Sequence, residues 1–181
     1  MASPSRAPRY AVVAYVKDSL GRFVEELRRD LHPDHTHLAA HVTVLPPRQL
    51  QGSEAEAIHT LKRHAPETGP FKIVLGTVET FSPATPTVFI RVEKSAHRFR
   101  DLHDRLNQGA LFCAEEWPYM PHMTIVKLAA INGAEAAMAE ARSRWAEFKG
   151  DKSTPIEEVT FVREAASHQW IDIATVRLRQ P

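Results

Sequence analysis

Hydrophobic and polar positions along this chain alternate with two different periods. From Tyr10 to Val16 the run YAVVAYV is apolar, β-branched and aromatic, which predicts a buried strand. Leu20, Phe23, Val24, Leu27 and Leu31 then recur at helical spacing, with Asp18 or Ser19 as the cap and Arg28 and Arg29 outside the stripe. Pro33 closes that helix. A strand HVTVLPPR follows from His41, ended by Pro46 and Pro47. Ser53 with Glu56 spells a capping box for a second helix carrying Ile58 and Leu61, which stops near Pro66, and residues 71–81 read as a strand.

The same order then restarts. TVFIRV from Thr87 predicts a strand, and Ser95 opens a helix with Phe99, Leu102 and Leu106 on one face. HMTIVK from His122 is another strand. Residues 134–148 form a helix bearing Met138, Ala141, Trp145 and Phe148, and strands follow over 156–162 and 170–178. Tyr10 precedes His41 by 31 positions and Val88 precedes His122 by 34, so the two halves look like an internal duplication. The expected fold is α+β: two pseudo-symmetric lobes, each an antiparallel sheet covered by helices, about a central cleft. The lobes run over about 10–81 and about 86–164, with the C-terminal strand 170–178 joining the second. A single domain of 181 residues accommodates both.

Each half carries His-x-Thr inside an alternating strand. Because side chains alternate faces, His41, Thr43 and Leu45 are expected on one face, and His122, Thr124 and Val126 on the corresponding face of the second copy. Lys127 falls by the same parity on the face away from His122. Equivalent strands packed about a pseudo-two-fold axis bring both polar pairs to one cleft.

Composition narrows the chemistry. Charged residues make up 25%, hydrophobic ones 43%, and the net charge is +1, so no broad electrostatic grip on nucleic acid is indicated. No apolar run is long enough for a bilayer, and MASPSRAPR lacks the apolar core of a secretory signal, which points to a cytoplasmic protein without a membrane partner. Cys113 is the sole cysteine, read as a buried structural thiol rather than a nucleophile. Nothing in the sequence addresses oligomeric state, and a monomer is the default.

Two imidazoles at a common point suit general acid–base catalysis near neutral pH, one accepting a proton while the other donates. Flanking Thr hydroxyls can hold phosphoryl oxygens. A phosphodiester needs this whole set, and the scheme requires no metal or other cofactor.

With HVTVLPPR, PHMTIVK and the linking segment GTVETFSPATPTVFIRVE followed by LHDRL, nearly the whole chain resembles the two-histidine phosphoesterases, the 2'-5' RNA ligase-like superfamily. The resemblance implies hydrolysis of 2',3'-cyclic phosphodiesters of nucleotides or RNA ends. It makes His41 and His122 the acid–base pair, in an order neither sequence nor symmetry decides, and Thr43 and Thr124 the phosphate donors. Lys127 and Arg48, just past the two motifs, are candidate phosphate contacts. Trp117, Tyr119 and Phe81 are candidates for stacking on a base, each equally readable as core packing.

Two other readings compete. One keeps the fold as a non-catalytic RNA-end or nucleotide binding module. The other is a metal-dependent hydrolase using the tract HPDHTHLAAH, which supplies His32, Asp34, His35, His37 and His41 in a spacing that fits no tight metal template. His59, His64, His97 and His103 are expected on helix surfaces.

Overall fold

In the computed structural model, residues 7–31, 39–128, 133–165 and 169–179 are described. Eight strands build the frame: β1 (Tyr10–Tyr15), β2 (His41–Arg48), β3 (Phe71–Thr80), β4 (Thr87–Lys94), β5 (His122–Lys127), β6 (Ser153–Ile156), β7 (Glu158–Glu164) and β8 (Trp170–Arg177). Four helices join them: α1 (Ser19–Leu31), α2 (Glu54–His64), α3 (Ala96–Leu106) and α4 (Ala134–Glu147). The expected α+β class holds. The two lobes, however, share one antiparallel sheet in the order β6-β3-β4-β5-β2-β1-β7-β8, with the two motif strands side by side at its centre.

The third strand of each sequence unit pairs with the other unit: β3 lies against β4, and β7 against β1. The strand expected over 156–162 is divided at Glu157, whose carbonyl accepts from Leu178 N at 2.8 Å. Only that residue separates β6 from β7, yet they occupy the first and seventh places in the sheet. The sheet therefore curls until its two ends approach, giving a half-barrel with one concave face.

Helices cover the convex face. Asp18 Oδ1 caps α1 by accepting from Leu20 N at 3.0 Å and Gly21 N at 3.1 Å, leaving Leu20, Val24 and Leu27 in the core. At Gly21 a Cβ would lie 1.9 Å from the Val16 carbonyl oxygen, so only glycine lets α1 start this close to β1. Pro33 lies outside the described residues. The capping box of Ser53 and Glu56 is formed in full. Helices, too, cross between units: α1 packs on β5, and α3 packs on β2. The core between helices and sheet contains Val42, Val44 and Leu45 of β2 and Met123, Ile125 and Val126 of β5.

Several expected placements change. Arg28 is not outside its helix but 4% exposed, and His103 is 6% exposed rather than at the surface. Cys113 is only partly buried. No helix among the described residues is long and apolar enough to cross a membrane.

Candidate active site

Register brings the four motif side chains together. Val42 pairs with Met123 across antiparallel β2 and β5. One step either way sets His41 across from Thr124 and Thr43 across from His122, all on the face opposite Val42 and Met123. The pseudo-two-fold axis passes between Val42 and Met123, and each His of one unit faces the Thr of the other. Directly opposed side chains in such a pair have Cβ atoms about 4.5–5.5 Å apart.

The two imidazoles are held alike. His41 Nδ1 is 2.7 Å from the Ala39 carbonyl, and His122 Nδ1 is 2.7 Å from the Met120 carbonyl. A carbonyl only accepts, so Nδ1 carries the proton in both rings and Nε2 is left to exchange protons with a ligand. The turns supplying these carbonyls are themselves tied: Val16 N donates to Ala40 O at 2.9 Å, and Val92 N to Pro121 O at 3.2 Å. Neither Thr43 nor Thr124 spends its hydroxyl on a hydrogen bond to another described residue.

Burial lowers the pKa of both histidines. His41 falls to about 4, chiefly through loss of water, with the positive charges of Arg28 and His122 adding to the fall and the Ala39 carbonyl opposing it. His122 is lowered by burial, against the opposing bond to Met120. Its surroundings differ from those of His41: Phe81 meets it edge-to-face at 5.0 Å, and Phe89 lies at 4.9 Å.

Each strand departs from simple alternation just past its Thr. Val12 pairs with Leu45 while Val13 pairs with Thr43, and Val88 pairs with Val126 while Phe89 pairs with Thr124. One extra residue has entered each motif strand, a β-bulge. Leu45 and Val126 consequently join the core instead of the histidine face. The bulge also corrects the placement of Lys127. Paired with Thr87 at the strand end, it returns to the face of His122 and Thr124, where its side chain is exposed.

Arg48 goes the other way. A second irregularity pairs it with the core residue Tyr10, and its guanidinium donates to Pro46 O at 2.9 Å, Asn107 Oδ1 at 2.7 Å and Leu111 O at 3.1 Å, besides an ion pair with Glu115. Tyr119 also lies on the core side, stacked on His103 at 4.3 Å with its hydroxyl on the Thr43 carbonyl at 2.8 Å. Neither lines the groove beside His41. Phe81 instead lies against His122 and is stacked on Phe89 at 4.2 Å. Trp117 is 69% exposed and makes no ring contact with another described residue.

Sequence reasoning missed what lies beside the motifs. Tyr15 is the register partner of His41 and donates to Asp172 Oδ1 at 2.6 Å. Arg91 is the partner of His122 and lies 3.7 Å from Glu79. A groove of about 580 Å³ runs from His41 and Thr43 over Ala11, Val13 and Val162 to Trp170 and Asp172. A larger cavity of about 760 Å³ opens where Pro155, Glu158 and Arg177 bring the curled ends together, and it contains none of the motif side chains. The tract residues His32, Asp34, His35 and His37 lie outside the described residues. Among the described residues no group of three or more His, Cys, Asp or Glu side chains could hold a metal ion.

The profile of the 2'-5' RNA ligase superfamily matches residues 16–168. The chain belongs to that superfamily. A protein named "Putative phosphoesterase OB1230", from Oceanobacillus iheyensis, is 27% identical over 122 residues, covering 66% of this chain and 70% of its own. A Bacillus anthracis protein named "Putative phosphoesterase" is 26% identical over 153 residues, covering 84% and 86%. Among solved structures, Escherichia coli LigT complexed with NADP+ has a TM-score of 0.65 at 15% identity, over 97% of this chain and 100% of LigT. TT0787 of Thermus thermophilus has a TM-score of 0.67 at 15% identity, over 94% and 98%. These structures share the fold of this superfamily member, and its phosphoesterase kind agrees with the names of its relatives.

Proposed function

We propose that this member of the superfamily is a metal-independent phosphoesterase that opens 2',3'-cyclic phosphodiesters of nucleotides or RNA ends. The observation carrying this reading is the crossed placement of His41 with Thr124 and His122 with Thr43, both rings bonded through Nδ1 to a carbonyl. The arrangement supplies a base, an acid and two hydroxyl donors around a single phosphorus.

In this reading the asymmetry around the rings supports one order of roles. The nearby cation of Arg28 disfavours charge on His41, which makes it the base. The pKa of His122 is lowered by burial without such a cation and with the Met120 carbonyl opposing, so it keeps a proton more readily and is the acid. His41 Nε2 takes a proton from water as the water oxygen bonds to phosphorus. The bond from phosphorus to one ribose oxygen breaks, and His122 Nε2–H protonates that oxygen, leaving a phosphomonoester. Thr43 and Thr124 donate to the non-bridging oxygens, with Lys127 at the end of β5 and Arg91 beside His122 adding positive charge.

The rest of the substrate lies in the groove beyond His41. Its floor of Ala11, Val13 and Val162 is apolar and Trp170 packs against it, a surface suited to the flat face of a base. Phe81 lies edge-to-face against His122, outside that groove. The test is a panel of the four 2',3'-cyclic nucleotides and an RNA ending in a cyclic phosphate, incubated in EDTA and followed by phosphorus NMR. Appearance of a phosphomonoester is expected; persistence of every panel member would refute the reading, and tight binding without turnover would favour a binding module.

A further inference from the structure

The bulges that follow the two threonines take backbone carbonyls out of the sheet ladder, and a buried carbonyl without a partner is costly. Each is met by a side chain from the core side. Tyr119 Oη donates to Thr43 O at 2.8 Å. Arg28 donates from Nη2 to Thr124 O at 2.7 Å and from Nε to Ile125 O at 3.2 Å. The donors are crossed between units, as are the helices: Arg28 sits on α1 of the first unit and reaches the second motif strand, whereas Tyr119 belongs to the second unit and reaches the first.

We infer that Arg28 and Tyr119 are positioning residues, each gripping the peptide of the other unit's motif threonine from behind and so fixing where that hydroxyl points in the groove. Neither touches the substrate. Both are built to hold still. The Tyr119 ring lies on His103 with an angle of 8° between planes, and His103 Nε2 is 3.1 Å from both carboxylate oxygens of Glu115, which is also the ion-pair partner of Arg48. Arg28 is 4% exposed and bonds two successive carbonyls, spanning the bulge itself. A hydroxyl aimed at a phosphoryl oxygen gains most when its own backbone cannot swing, because a small error in aim weakens a donor that the transition state uses.

This inference rests on the cyclic-phosphodiester reading for its kinetic test, and a second readout does not need turnover. Tyr119→Phe keeps the ring on His103 and removes only the donor; Arg28→Lys keeps the charge and loses the two-carbonyl span. Using the cyclic nucleotide with the highest kcat/KM, each variant is measured alone, with Thr43→Val and with Thr124→Val. Tyr119→Phe is expected to lower kcat about tenfold with KM within twofold, to cost almost nothing further in Thr43→Val, and to keep its full effect in Thr124→Val. Arg28→Lys should show the reverse pattern. Equal losses in both backgrounds would reduce the pair to general stabilisers and overturn the inference, as would losses under twofold.

Threonine-methyl NMR gives the independent reading. Three-bond couplings should show the χ1 of Thr43 averaging in Tyr119→Phe while Thr124 stays fixed, and the opposite in Arg28→Lys. If the wild type opens no cyclic phosphate but this crossed averaging is present, the substrate reading fails and the positioning inference stands. If χ1 stays fixed in both variants, the inference fails whatever the kinetics.

Discussion

Moving the pH from 7 to 8 should reduce kcat/KM about eight- to tenfold. The productive free enzyme has one neutral and one charged imidazole, and burial holds both rings below the ordinary value near 6.5, with His41 at about 4. If the higher step of the coupled pair lies at or below about 6.5, at most about a quarter of the molecules carry the needed proton at pH 7 and about 3% at pH 8. On the acid side the rate falls again as the base is protonated, with a limb near about 4. The maximum of kcat/KM therefore lies between those limits, on the acidic side of neutrality. Bound phosphodiester is an anion beside both rings and favours their charged forms, so the kcat profile should be displaced to higher pH than that of kcat/KM. The assay is initial-rate hydrolysis of a cyclic nucleotide in EDTA from pH 4 to 9, at substrate concentrations below and above KM. A kcat/KM level within twofold from pH 6 to 8.5 would refute the reasoning, because no depressed imidazole pair could then be titrating.

Further outcomes follow from particular contacts. A histidine whose folded pKa is depressed binds fewer protons in the folded than in the unfolded chain, so its stabilising effect is complete above about 6.5 and lost as the pH falls towards about 4; over that window Tm should fall more steeply in the wild type than in His41→Asn, and parallel curves would contradict it. Arg48→Met removes the guanidinium from Glu115, leaving that carboxylate only His103 Nε2, and should cost about 3 kcal/mol in urea unfolding while KM changes less than twofold; a large KM effect would return Arg48 to the groove. Gly21→Ala drives a Cβ into the Val16 carbonyl and should cost about 1–3 kcal/mol by the same unfolding measurement, whereas an unchanged midpoint would mean that α1 shifts freely.

Most of the strand and helix order could be read from periodicity because apolar spacing marks which side of an element is buried. The repeat of His-x-Thr at one offset was legible for the same reason, and the family resemblance agreed. What escaped was everything the sheet does across strands. Leu45, Val126 and Lys127 were assigned faces by strict alternation, and one bulge in each strand reversed them. The signal was present: Val44–Leu45 and Ile125–Val126 are consecutive apolar pairs at the same place in both copies, which an alternating strand with one solvated face does not write. Arg28 was placed outside its helix because a cation is ordinarily solvated, whereas here two backbone carbonyls take the place of water. Tyr119 was ambiguous and His103 was placed on a helix surface for a related reason: an aromatic with a polar tip suits a wet or a buried site, and only the packing of α3 on β2 decides between them.

The most direct test of the paired-histidine claim compares wild type, His41→Ala, His122→Ala and the double variant on one cyclic nucleotide in EDTA. Each single variant should lose roughly a hundredfold to ten-thousandfold in rate, and the double variant should be little worse than the poorer single, as expected of two groups acting in one proton-transfer cycle. A loss below tenfold in either single variant, or losses that multiply in the double, would contradict the account.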